Sequence, residues 1–345
     1  MTADARLRLA AGALHPDRRR SLVARFGSPA AVLDAVLSGS VRVPDDARRA
    51  MGRDAAELRR FAAARSVDVV DREDPRYPER LRGVPDGPDV LFVRGTLPGA
   101  GPSVAVVGTR RSTAYGLDQA RALGRSLSAA GVTVVSGLAR GVDGAAHAGS
   151  LDGSTPGAAV LGCGPDVAYP SEHRPLADRL VRAGGAVLAE YPPGARPLPW
   201  RFPPRNRIIA ALADAVVVVE SPERGGALVT AAAGLDYGRT VMAVPGDVDR
   251  PTSRGCNLLV RDGALPVLGS DDLLETLEVS ARPPERPEDR ADPLEAAILA
   301  AAASRIELDD LAEVVGAEPS AVLSAVARLE VLGRLRRADG AVVGR

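Results

Sequence analysis

Along the chain, short unbroken apolar runs alternate with longer stretches in which apolar positions return every three or four residues. The clearest case begins at 103. Val104, Ala105, Val106 and Val107 run without interruption, stop at Gly108-Thr109, and give way to Arg110 and Arg111. From 115 to 130 the apolar positions take helical spacing, ending at Gly131. A strand, a tight glycine turn and a helix form the first unit of a parallel α/β sheet. The alternation continues to about 268. Apolar runs at 132–135, 158–161, 186–189, 215–219 and 241–244 predict strands, and 143–151, 171–183, 206–212 and 227–237 predict helices. Runs apolar on both faces and alternating with helices define an α/β fold, an extended Rossmann-like, doubly wound, mostly parallel sheet. Its ligands are expected at the carboxyl ends of the strands.

The flanks carry other patterns. Residues 1–65 hold short amphipathic stretches with Gly and Pro breaks, and Gly27-Ser28-Pro29 supplies a helix cap followed by a first-turn proline. They read as a small helical domain of the sterile-alpha-motif or helix-hairpin-helix kind, serving either binding or packing. Short strands at 67–70 and 90–93, around the turn-rich 74–78, lead into a sheet domain spanning 66–279. Residues 280–291 are rich in proline and charge and read as a linker. In 292–345, helical spacing at 294–303, 308–315 and 321–332 precedes two short strands around Asp339-Gly340, the pattern of a winged helix.

Composition changes this picture in three ways. Aromatic residues make up only 3% of the chain, so the core must be built from Ala, Val and Leu. All 44 basic residues are arginine, matched by 44 acids. At zero net charge, any nucleic-acid binding must come from a local patch. The two cysteines, Cys163 and Cys256, give neither a disulfide framework nor metal spacing. With no long apolar run and no leader-like N-terminus, the expectation is a cytoplasmic protein without a membrane span.

Candidate chemistry gathers at predicted strand ends. Gly108, Thr109, Arg110 and Arg111 follow one strand, and Ser136, Gly137, Arg140 and Gly141 the next. Gly225 and Gly226 follow the run at 215–219 and precede a helix. Glycine turns opening onto helices present backbone N–H groups to anions. Between them, 194–207 carries Arg196, Arg201, Arg205 and Arg207 with Trp200 and Phe202, no acid, and several prolines. It reads as an exposed, stiff loop with Asn206 opening the next helix. Guanidiniums for phosphates and rings for bases suit a single-stranded nucleic-acid groove; the alternative makes the rings hydrophobic anchors of the loop.

These segments together resemble the DNA-processing protein A (DprA, also called Smf) family. The resemblance rests on Gly108-Thr109-Arg110, on 136–143 with Ala146-His147, and on 202–209. Gly162-Cys163-Gly164, Tyr169-Pro170, 190–192, 244–246 and the lead-in 74–78 fit the same family, so it runs from about 74 to 268. It implies sequence-independent binding and protection of single-stranded DNA, loading of the RecA recombinase, a homodimer formed through the sheet domain, a role in natural transformation, and neither cofactor nor catalysis. It puts Arg110, Arg201, Arg205 and Arg207 on DNA phosphates, with the 136–141 loop and Gly225-Gly226 supplying further donors. Some members carry a lysine just before the Phe-Pro pair, where this chain has Pro199-Trp200-Arg201.

Three other readings compete. Ser136, Asp143 and His147 suggest a triad, although no nucleophile-elbow pattern accompanies them. Related nucleotide-cleaving folds place a glutamate three residues after a loop threonine; here Thr230 is followed by Ala233, leaving no acid/base group. A winged helix reading duplex DNA is the third, but 292–345 holds 6 arginines against 9 acids, which disfavours phosphate neutralisation.

Overall fold

A computed structural model describes residues 2–278, 293–302, 306–331, 335–338 and 341–344. Two compact units result, Met1–Arg282 and Pro283–Arg345. The expected linker at 280–291 lies outside the described residues.

The first unit opens with five helices, α1 (Thr2–Ala11), α2 (Pro16–Phe26), α3 (Pro29–Leu37), α4 (Asp45–Gly52) and α5 (Ala55–Ala63). The Ser28 side chain caps α3 by accepting from the Ala31 N–H, and Gly27 ends α2 at φ 82°. One apolar side of the bundle closes on itself around Leu9, Val32, Val36 and Met51. The other, through Leu7, Leu58 and Ala62, packs against Val90 and Phe92 of the sheet. Arg6 adds a two-pronged pair of hydrogen bonds to Asp71, both 2.8 Å.

The sheet comprises β1 (Asp68–Asp71), β2 (Val90–Gly95), β3 (Ser103–Val107), β4 (Thr133–Ser136), β5 (Ala158–Leu161), β6 (Ala186–Ala189), β7 (Ala215–Val218), β8 (Thr240–Ala243) and β9 (Leu265–Pro266). Its order is β1-β2-β6-β5-β4-β3-β7-β8-β9. The pairs β1–β2 and β2–β6 are antiparallel and the rest parallel. Between β1 and β2 lies α6 (Glu79–Arg82); then α7 (Ala114–Ala129), α8 (Val142–Ser150), α9 (Arg174–Arg182), α10 (Phe202–Ala211), α11 (Gly226–Asp236), α12 (Arg254–Arg261) and α13 (Ser270–Thr276) complete the unit.

Period-two alternation explains why the strands read as unbroken apolar runs. Ala105, Val107, Val216, Val218, Val241 and Ala243 enter the core on one face of the sheet. Val104, Val106, Val217, Val219, Met242 and Val244 enter that on the other. Both faces are helix-covered, so the sheet is doubly wound. The winding reverses between β3 and β7, neighbours in space but far apart in sequence. A crevice opens at such a point, beyond the carboxyl ends of the strands.

Two expectations change. The predicted helix at 206–212 begins four residues earlier, at Phe202, with prolines in its first turn. First-turn prolines lose no hydrogen bond, so Pro203-Pro204 open the helix instead of holding a loop open. The predicted helix at 171–183 starts as a 3-10 turn, Ser171–His173, before α9.

The second unit runs α14 (Pro293–Ala301), β10 (Ile306–Glu307), α15 (Leu308–Val315), α16 (Pro319–Val331), β11 (Leu335–Ala338) and β12 (Ala341–Gly344). Its antiparallel sheet has the order β10-β12-β11 over a core of Ile298, Leu311, Val326 and Leu329. Arg334 and the Asp339-Gly340 turn lie outside the described residues.

Candidate nucleic-acid interface

The crevice at the β3/β7 reversal is a cleft of about 320 Å³. Gly108 to Arg111 line it after β3, Ser221 and Arg224 to Gly226 after β7, and Arg205 and Asn206 from α10. A second recess, formed by Gly137, Arg140, Tyr169 and Phe202, adjoins it and shares Arg110 and Arg205.

Glycine is required where the loops meet. A Cβ on Gly108 would strike Val142 and the Glu220 carbonyl, and one on Gly141, at φ 75°, the Thr109 carbonyl. The turns after β3 and β4 are therefore packed backbone against backbone. Below them, the buried Glu220 carboxylate accepts hydrogen bonds from Ser112 Oγ and the Thr113 N–H, both 2.9 Å, and from Thr113 Oγ1 at 3.3 Å. Thr113 caps α7, so Glu220 holds the segment that carries Arg110 and Arg111.

The positive charge in the cleft is open. Arg110, Arg111 and Arg224 are exposed, and none forms an ion pair among the described residues. α11 begins at Gly226 with no side-chain cap, so its first N–H groups remain available beside Arg224. Three guanidiniums without a carboxylate partner among the described residues, that of Arg110 lying 5.3 Å from the Phe202 ring centroid, and an uncapped helix N-terminus make the cleft electropositive. Asn206 fastens α10 to that helix by donating to the Gly226 carbonyl at 3.1 Å.

The remaining arginines assigned to phosphates are differently placed. Arg205 is buried and donates to the carbonyls of Gly137, at 2.8 Å, and Val160. Burial pulls its guanidinium below the ordinary value, with Asp143 opposing. Asp143 is in turn pushed up by burial against the pull of Arg205. Arg207 is buried against Glu190 at 3.0 Å, and Arg19 of α2 reaches the same carboxylate. Burial pushes Glu190 up, but Arg207 and Arg19 outweigh it and hold the carboxyl below its usual range. Arg201 is buried too, donating to the Arg196 carbonyl at 2.7 Å, its guanidinium 4.6 Å from the Tyr191 ring centroid. Arg140 is exposed but paired with Glu172. Of the three buried cations only Arg205 lines the cleft, while Arg201 and Arg207 brace the structure behind it; Arg110, Arg111 and Arg224 line the cleft from the surface.

The triad does not assemble. Ser136 Oγ is buried and donates to the Val106 carbonyl at 2.6 Å. Both His147 ring nitrogens lack a partner among the described residues, and burial pushes its pKa down to about 4. A larger groove of about 1140 Å³ lies elsewhere, between α6, the segment after β2 and the end of α11. Its Arg76 and Arg80 are occupied by Asp74 and Asp214. Among the described residues no group of side chains is arranged to hold a metal ion, and no helix is long and apolar enough to cross a membrane.

Arg224 and Glu220 were missed in the sequence. The first abuts Gly225 at a strand end, which was signal enough; the second reads as one more acid after an apolar run.

A doubly wound, mostly parallel sheet with an arginine-lined cleft at its switch point defines a Rossmann-like α/β protein. Residues 68–278, over half of the chain, match the family model described as DNA recombination-mediator protein A, and the chain belongs to that family. It is 40% identical over 211 residues to protein Smf of Escherichia coli, covering 61% of this chain and 56% of that one. It is 42% identical over 247 residues to a putative DNA processing protein DprA of Mycobacterium tuberculosis, covering 69% and 63%. The chain thus spans little more than half the length of these curated relatives. The crystal structure of DNA processing protein A from Streptococcus pneumoniae superposes with a TM-score of 0.63 at 31% identity, over 78% of this chain and 95% of that one. A solved structure of DNA processing protein A from Helicobacter pylori, described for its single-stranded DNA binding mode, gives 0.54 at 25% identity, over 61% of this chain and 95% of that one.

Proposed function

We propose that this chain binds single-stranded DNA without regard to sequence, along the carboxyl edge of its sheet, and that it performs no catalysis. In this reading it shields the strand from nucleases and passes it to the RecA recombinase in the cytoplasm, as a homodimer joined through the sheet domain, in natural transformation or recombination. The observation that carries the reading is the cleft at the β3/β7 switch point, where Arg110, Arg111 and Arg224 stand unpaired beside the uncapped start of α11. Phosphates are the anions such a site takes, and Tyr169 and Phe202, their centroids 5.3 Å apart in the adjoining recess, offer ring surface to bases. The single-stranded DNA named for the Helicobacter relative supports the same ligand. The second unit, read as a winged helix, is acidic and takes an accessory role.

Fluorescence anisotropy with labelled single-stranded and duplex oligonucleotides across a salt series tests this. Single strands should bind more tightly, and Arg110→Ala with Arg224→Ala should flatten the salt dependence by about 0.7 in log–log slope per lost phosphate contact. Equal duplex binding that ignores both arginines would refute it.

A further inference from the structure

Beyond the cleft, the carboxyl edge continues past β4 and β5 to the segment after β6, where the helical N-terminal region meets the sheet. Trp200, the sole tryptophan of the chain, stands there in a 3-10 turn. The buried side chains of Tyr191 and Arg201 hold its indole from inside, the first edge-on at 6.1 Å and the second with its guanidinium 4.9 Å from the ring centroid. From the loop between α1 and α2, the His15 ring leans against the same indole, centroids 5.6 Å apart and planes tilted by 33°. The residue nonetheless remains 39% exposed. An exposed tryptophan gripped from three sides is a preformed flat surface rather than a flexible anchor. Arg196, exposed and without an ion pair among the described residues, lies four residues before it.

Resting on the single-strand reading above, we propose that Trp200 and His15 form a base-stacking platform, a second subsite for the strand leaving the cleft. Its ligand is a nucleobase of single-stranded DNA, with Arg196 available to the adjoining phosphate. Two features support that occupant. The platform lies on the same edge of the sheet as the cleft, separated by strands about 4.8 Å apart, so one extended strand can reach both. A rigid ring beside a free cation meets the two requirements of sequence-tolerant single-strand binding. The N-terminal helices thereby become part of the binding surface, contributing His15.

Because Trp200 is the only tryptophan, its emission reports the subsite directly. The full chain is titrated with oligothymidylates of increasing length, following both the anisotropy of a label on the strand and Trp200 emission. Short strands should bind without quenching, and strands beyond a threshold length should quench. An abasic segment placed over the platform should abolish quenching while leaving binding. Trp200→Ala and His15→Ala should weaken long strands by roughly 10-fold and leave short ones unchanged, and Trp200→Phe should restore most of the loss. Binding at every length with unchanged emission, or equal quenching by the abasic strand, overturns the platform and leaves the cleft standing. Absence of single-strand binding overturns both.

Discussion

The Arg19–Glu190–Arg207 cluster gives a test in which charge arithmetic sets the outcome. One carboxylate, 2% exposed, serves two guanidiniums that are 5% and 10% exposed. Arg207 also reaches Asp86 at 3.3 Å, and Arg20 approaches the same carboxylate at 3.6 Å, so three guanidiniums meet two carboxylates. Glu190→Gln keeps the shape but leaves two buried cations facing each other. Breaking a buried pair from one side costs about 3–5 kcal/mol. Arg19→Met instead leaves Glu190 with Arg207, a balanced pair, and forfeits one charged hydrogen bond, about 1.5–3 kcal/mol. At about 2–4 °C per kcal/mol for a domain of this class, the first variant should lower Tm by roughly 6–20 °C and the second by about half as much. Thermal unfolding at neutral pH, followed by circular dichroism, gives both Tm shifts, and urea unfolding gives both costs. Because the cluster is buried, the gap between variants should persist at high salt. A Glu190→Gln cost below about 1 kcal/mol, or an Arg19→Met cost matching it, would refute the argument.

Three further outcomes are expected. Glu220→Ala removes three hydrogen bonds from 112–113; single-strand affinity should fall about 10-fold with the fold intact, and Arg110→Ala in that background should add less than it does alone, as a double-mutant cycle would record. Burial holds the folded pKa of His147 at about 4, against an ordinary value of 6.5. The unfolded chain therefore binds the extra proton as pH falls, so stability should decline from pH 6.5 towards 4, by up to about 3 kcal/mol. His147→Phe should flatten urea midpoints over that interval. Removing 283–345, a separate compact unit, should leave single-strand affinity within about threefold by anisotropy, since acids outnumber arginines there and oppose phosphate neutralisation.

The sheet was legible because its strands are buried on both faces and its helices alternate with them; the runs at 103–107 and 215–218 could hardly be anything else. The loops at their ends were legible as glycine turns. The residues misjudged are those whose environment is set by distant partners. Arg205 and Arg207 sit in a stretch without acids, which suggested solvent and phosphate. Glu190 is remote from Arg19 and reaches it only once β6 and α2 have been brought together. The prolines at 203–204 mark either a stiff loop or a helix start, and local sequence does not distinguish them. The two-residue β9 escaped notice because so short a strand leaves no periodicity.

The contact between the Gly141 backbone and the Thr109 carbonyl has a kinetic consequence. Loops from two different strands cannot open independently when their main chains already touch, so the cleft is preorganised and its amides need not be gathered by the ligand. The ordering cost of association then falls almost entirely on the incoming strand. Its encounter should be governed by diffusion and charge, and variants that stiffen the protein should change the association rate very little.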